Sequence, residues 1–185
     1  RSASSSGSAV QAEEKAAPAD LNVAALKGPT GMGLVKLMND ADRGETLSNN
    51  YTFTMAASAD EITPQFIQGN IDIACVPANL ASVLYNKTEG NVQVLAINTY
   101  GILYIVENGD TVNSVADLKG KTIYASGKGA TPEYALRYVL SQNGIDPDKD
   151  VTIEWKSEHA ECVSAIASSE VAVALLPQPF VTTAQ

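Results

Sequence analysis

The sequence predicts an α/β protein built as two similar lobes, each a mostly parallel, doubly wound sheet flanked by helices, with a ligand cleft between them. Three observations point there. Short apolar strands alternate with amphipathic helices, the pattern restarts after the polar break ENGDTVNSVADLKG at 107–120, and the two halves match at one fixed displacement. The chain has 185 residues, 45% of them hydrophobic and 18% charged, enough apolar material for one or two cores.

In the first half, LNVAALKG (21–28) reads as a strand ending at Gly28, and Leu34, Val35, Leu37 and Met38 then recur at helical spacing. YTFTMAA (51–57) alternates as a strand, and residues 61–68 form a helix with Ile62, Phe66 and Ile67 on one face, closed by Gly69. IDIACVP (71–77) is a nearly unbroken apolar strand, as a parallel strand covered on both faces requires. Asn79 reads as the cap of a helix through Leu80, Val83 and Leu84, and VQVLAINTYGILYIVEN (92–108) supplies one long or two consecutive strands.

In the second half, KTIYASG (121–127) is a strand, and Tyr134, Leu136, Val139 and Leu140 are the apolar side of a helix that ends at Asn143-Gly144. Thr131 reads as its N-cap, with Pro132 at the first helical position. VTIEW (151–155), a helix over 161–168 and the buried strand VAVALLP (171–177) complete the pattern. Two second-half strands follow their counterparts by 100 positions, Lys121 against Leu21 and Val171 against Ile71. The expected organisation is a disordered tether over 1–20, a first lobe over 21–108 and an incomplete second lobe over 109–185.

Ligands of such sheets sit outside the carboxyl ends of the strands, where helix N-termini present unpaired N–H groups. The ligand-facing loops are therefore Gly28-Pro29-Thr30-Gly31 and Pro77-Ala78-Asn79 in the first half, and residues 127–132 and Pro177-Gln178-Pro179 in the second. GKGATPEY (127–134) lacks the upstream glycine and following Ser or Thr of a phosphate-binding P-loop, and GPTGMG (28–33) lacks the spacing and the downstream acid of a dinucleotide site. Small residues in both loops still leave the backbone open to a ligand.

No nucleophile, metal-ligand or acid–base constellation is present, so no cofactor, metal or catalytic residue is expected. His159, between Glu158 and Glu161, reads as a surface or helix-capping residue, while Glu158 is placed to pair with a cationic ligand group. Cys75 and Cys162 read as small buried hydrophobes. Tyr100, Tyr124 and Trp155 are stacking candidates that fit core packing as well, and Lys27 and Lys128 stand near the cleft mouths.

Twelve Lys and Arg against 21 Asp and Glu, a net charge of −9, leave no basic stripe for a phosphate backbone, so no nucleic acid partner is expected. The longest apolar run, 171–177, falls far short of the roughly 18 residues of a membrane span. RSASSSGSAVQAEEKAAPAD (1–20) is too poor in apolar residues to order itself, and it fits the stalk of a surface lipoprotein.

VADLKGKTI (115–123), the Gly-rich loop after it, and Ala165-Ile166 through PQPFVTTA (177–184) resemble the type 2 periplasmic-binding-protein-like solute receptors of ABC transporters. The nitrate, sulfonate and thiamine-pyrimidine branch is the most similar. Ala172 and Gln178 stand where that family often has Asp and Glu, so a ligand contact through those acids is not carried over. Family members also continue past the Pro-Phe-Val-Thr segment, so the expectation is a C-terminally truncated receptor.

The resemblance implies a clamshell that closes on its ligand by rotation near residues 99–108 and docks on a membrane permease. Thr30, Ser58, Asn79 and Thr99 would line the first wall, with Gly129, Ala130, Thr131, Glu158 and Gln178 on the second. It further implies a monomeric, extracytoplasmic bacterial protein, in the periplasm or held at the cell surface by an N-terminal lipid. The same architecture hosts enzymes of thiamine-pyrimidine and menaquinone synthesis and the sensing domains of transcription regulators, which are the competing functions.

Overall fold

The structure is a computed structural model that describes residues 16–185, so most of the expected tether lies outside the described residues. Residues 16–19 have no regular structure, and Asp20 already opens the first strand. β1 (Asp20–Leu26), β2 (Asn50–Ala56) and β3 (Ile73–Cys75) form one all-parallel sheet in the order β2-β1-β3. β4 (Leu103–Asn108), β5 (Thr122–Ser126), β6 (Thr152–Lys156) and β7 (Ala172–Pro177) form a second in the order β4-β7-β5-β6, with β4 antiparallel to β7.

The internal repeat holds in the pairing register itself. Asn22 lies opposite Thr52 as Thr122 lies opposite Thr152, and Val23 opposite Ile73 as Ile123 opposite Val173. Helices follow the same rule. α1 (Pro29–Met32) and α2 (Val35–Asp42) correspond to α5 (Thr131–Gln142), α3 (Ala59–Ile67) to α6 (His159–Ala167), and α4 (Ala78–Lys87) to the short α7 (Phe180–Thr183). The single helix expected around Leu34 is broken in two at Gly33 and Leu34. Among the described residues no helix is long and apolar enough to cross a membrane.

Period-2 alternation explains why β7 is buried along its whole length. Val173 and Leu175 join Leu118, Ile123, Ala125, Leu136 and Leu140 on the α5 face, while Ala172, Ala174 and Leu176 pack with Cys162 and Ile166 of α6 on the other. The first sheet has a smaller core of Ala24, Ala56, Ile62 and Ile71.

Two expectations fail together at the edge of the first sheet. β3 has three residues and is half-buried, where IDIACVP predicts a longer strand covered on both faces. Residues 91–102 have no regular structure, so the long strand expected over 92–108 shrinks to β4, which joins the second sheet. The physical reason is the neighbour. β7 is paired on both edges, whereas β3 pairs with β1 and, among the described residues, with no other strand. A β segment without a partner cannot satisfy its N–H and C=O groups in a ladder, so Val94, Leu95 and Ile97 remain about two-thirds exposed or more.

Leu140, fully buried between α5 and β5, tests the second core directly. Leu140→Ala is expected to lower unfolding stability in urea by about 2–5 kcal/mol. A change below about 1 kcal/mol would contradict that packing.

Candidate functional site

Parallel pairing sends the carboxyl ends of β1, β2 and β3 to one edge of the first sheet, and those of β5, β6 and β7 to one edge of the second. The residues predicted for the cleft occupy the turns at those edges. Thr30 and Gly31 follow β1, Ser58 follows β2, and Asn79 follows β3; Gly129, Ala130 and Thr131 follow β5, Glu158 follows β6, and Gln178 follows β7. Thr99 lies in the connector at 91–102, where its hydroxyl donates to Asn98 Oδ1 at 3.2 Å.

The two edges meet at Asn79. Its Nδ2 donates to the Gly129 carbonyl at 3.1 Å, and its Oδ1 accepts from the Thr131 hydroxyl at 3.3 Å, between residues 50 and 52 positions apart. Both side chains were expected to cap their own helices, and both expectations are corrected. Pro77 takes the N-cap of α4, which leaves Asn79 inside the first turn, and Ala130 takes the N-cap of α5, which leaves Thr131 at the first helical position. A side chain not used for capping is available to reach across.

Other predicted residues are engaged within their own lobe. The Thr30 hydroxyl accepts from the Leu26 amide at 2.9 Å and lies 3.3 Å from the Leu26 carbonyl. Gly31 is buried: a Cβ there would come within 2.8 Å of the Leu26 carbonyl oxygen and 2.5 Å of Met55 Cε, so close packing explains the glycine. Gln178 Oε1 accepts from the Thr182 hydroxyl at 3.1 Å. Ala130 donates its N–H to the Gly127 carbonyl at 3.0 Å. Ser58 and Glu158 are the N-cap residues of α3 and α6, and both are partly exposed.

Three helices carry a glutamate at the third helical position that folds back on the preceding turn. Glu61 accepts from the Ala57 and Ser58 amides at 3.1 Å each, Glu133 from Gly129 at 2.6 Å, and Glu161 from Ser157 at 3.0 Å. Hydrogen bonds from Ser157, side chain and backbone, hold the Glu161 carboxyl below its ordinary range. The helix N-termini at the cleft therefore have part of their donor capacity met internally.

His159 was read as a surface or capping residue, and the structure corrects this. It begins α6 with its ring against Phe180, centroids 5.5 Å apart, and its Nδ1 is buried with no hydrogen-bond partner. Phe180 in turn faces Gly28 across the cleft, where a Cβ would lie 3.6 Å from the Phe180 ring and φ of 135° favours glycine. The signal that sequence reasoning passed over was the repeat: His159 stands 100 positions after Ala59, at the matching helix start. Cys162 is fully buried and Cys75 half-buried; burial raises both thiols, Cys162 to about 11, so both stay protonated.

Burial pushes the His159 imidazole down from 6.5 to about 4. Between those values the unfolded chain binds a proton that the folded chain does not. The contribution is fully present above pH 6.5 and is lost as pH falls toward 4. In urea unfolding from pH 7 to 4.5, His159→Phe should make the pH dependence shallower by up to about 1.4 kcal/mol per pH unit. An unchanged slope would contradict the buried, neutral imidazole.

Comparison with known proteins places this geometry. Residues 44–184 match the family model described as ABC transporter, phosphonate, periplasmic substrate-binding protein. No curated protein sequence matches the chain. Among solved structures, the ligand binding component of an ABC-type import system from Staphylococcus aureus with zinc bound is similar at TM-score 0.70 and 15% identity, over 89% of this chain and 56% of that one. The periplasmic aliphatic sulphonate binding protein SsuA from Escherichia coli is similar at TM-score 0.59 and 19% identity, over 90% and 57%. The binding protein component of an ABC phosphonate transporter from Pseudomonas aeruginosa is similar at TM-score 0.58 and 19% identity, over 91% and 60%. The chain thus spans less than two thirds of the length of each, and these likenesses bear on fold alone. The match over residues 44–184 shows that the chain belongs to the family of ABC-transporter phosphonate periplasmic substrate-binding proteins.

Proposed function

We propose that the protein is the extracytoplasmic solute-binding component of a bacterial ABC importer, which holds a small polar solute between its two lobes and delivers it to a membrane permease. The observation that carries this reading is the meeting of the two strand-end surfaces at Asn79, Gly129 and Thr131. A solute that touches both surfaces stabilises the arrangement in which they face each other, and closure becomes the signal to the permease. Thr30, Ser58, Glu158 and Gln178 belong to the same rim, and Phe180 with the neutral His159 adds an aromatic wall. The family and the solved neighbours are transport-binding proteins, which favours a receptor over an enzyme on the same fold. A lipid-anchored monomer at the cell surface, tethered through residues 1–20, fits the composition of that segment.

The solute class suggested by the family and neighbour descriptions is a phosphonate or sulfonate. Such an oxyanion would enter at the start of α5, the positive end of that helix dipole, and there it competes with the Glu133 carboxylate for the Gly129 amide. Glu158, at the start of α6, suits a solute that also carries a positive group.

Thermal unfolding of the chain against alkylphosphonates, alkanesulfonates, nitrate, thiamine and its pyrimidine precursors, and riboflavin tests the reading. A ligand at a hundred times its dissociation constant adds about 2.7 kcal/mol, which raises the midpoint by several degrees. One saturable hit is the expected result; no shift from any class would count against a receptor.

A further inference from the structure

We propose that the Asn79 carboxamide is a latch between the lobes, a positioning residue that sets the balance between closed and open arrangements apart from any contact with solute. The inference rests on the two-lobed receptor reading, and it assigns to one side chain a role beyond lining the cleft.

The geometry is complementary in one orientation only. A carboxamide offers a donor and an acceptor side by side, and facing Asn79 are an acceptor, the Gly129 carbonyl at 3.1 Å, and a donor, the Thr131 hydroxyl at 3.3 Å. Each of the three groups is released from duty in its own element. Pro77 stands at the N-cap of α4 and Ala130 at that of α5, which leaves Asn79 and Thr131 inside the first turns, and Gly129 sends its N–H to Glu133 while its carbonyl accepts from Asn79. Gly129 has φ of 76°, and a Cβ there would meet nothing within 4 Å. The glycine thus serves backbone direction, since the left-handed conformation turns its carbonyl out of the loop toward Asn79.

Both bonds run from α4, which follows the first sheet, to the start of α5, which follows β5 of the second, so separation of the lobes breaks them together. They contribute to the closed arrangement and nothing to the open one, which is the differential interaction a population shift requires. Loss of such a bonded pair is expected to move the closed-to-open ratio about tenfold, equivalent to about 1.4 kcal/mol. A solute that binds the closed form then loses apparent affinity in proportion to the closed fraction lost.

The test measures lobe separation in the full chain without added solute. Spin labels at Ser82→Cys on α4 and Ser141→Cys on α5, both exposed positions, report the distance between lobes. A Cys75→Ala background leaves only Cys162, which is fully buried. Asn79→Ala and Asn79→Asp are both expected to move the distance distribution toward longer values, Asp because it keeps the size but cannot donate to the Gly129 carbonyl. Thr131→Val should have a smaller effect, and none when added to Asn79→Ala, because the bond is already gone.

A distribution unchanged by Asn79→Ala and Asn79→Asp overturns the latch, even if the melting temperature falls. Additive effects of Asn79→Ala and Thr131→Val overturn it as well. Neither result touches the receptor reading, which stands or falls with the solute titrations.

Discussion

Parallel strand pairing is the constraint on which the molecule depends. A parallel sheet sends every strand's carboxyl end to the same edge, and each strand must return through a helix that starts at that edge. Pairing β1 between β2 and β3, and β5 between β6 and β7, therefore collects the starts of α1, α3 and α4 on one surface and of α5, α6 and α7 on another. Because the two sheets repeat one register at a displacement of 100, the surfaces are alike, and a bridge as small as one carboxamide joins them.

The polarity of these surfaces follows from how the helix starts are capped. Glu61, Glu133 and Glu161 each return a carboxylate to the turn before their own helix. Such caps stabilise isolated helix ends and also temper the positive end of each helix dipole. The α4 start has no acidic residue in its first turn, and its Asn79 side chain reaches Gly129 and Thr131 at the start of α5.

Much of the fold was legible because hydrophobic period reports sheet and helix directly. The apolar runs at 121–127 and 171–177 became β5 and β7, and the repeat noticed in the sequence proved to be a repeat of hydrogen-bond register. What escaped was whatever depends on a neighbour. The alternation in VQVLAI (92–97) signals a strand, yet a strand exists only beside a partner, and among the described residues β3 pairs on one edge. At the cleft, Asn79 and Thr131 were recognised as residues at helix starts but assigned to the wrong bond. Propensity ranks Asn and Thr as caps, and it cannot see that Pro77 and Ala130 already fill those positions. His159 escaped for a related reason, since burial against Phe180 is set by packing between α6 and α7.

The central claim is that one solute is held by both lobes at the strand-end surfaces. Amide chemical shifts followed by NMR during titration with a stabilising solute test this most directly. The account predicts that the amides of Ala78 and Asn79 and those of Gly129, Ala130 and Thr131 shift together, with one saturation curve. Shifts confined to one lobe, or centred on the open groove lined by Phe66, Ile71 and Val92, would contradict it.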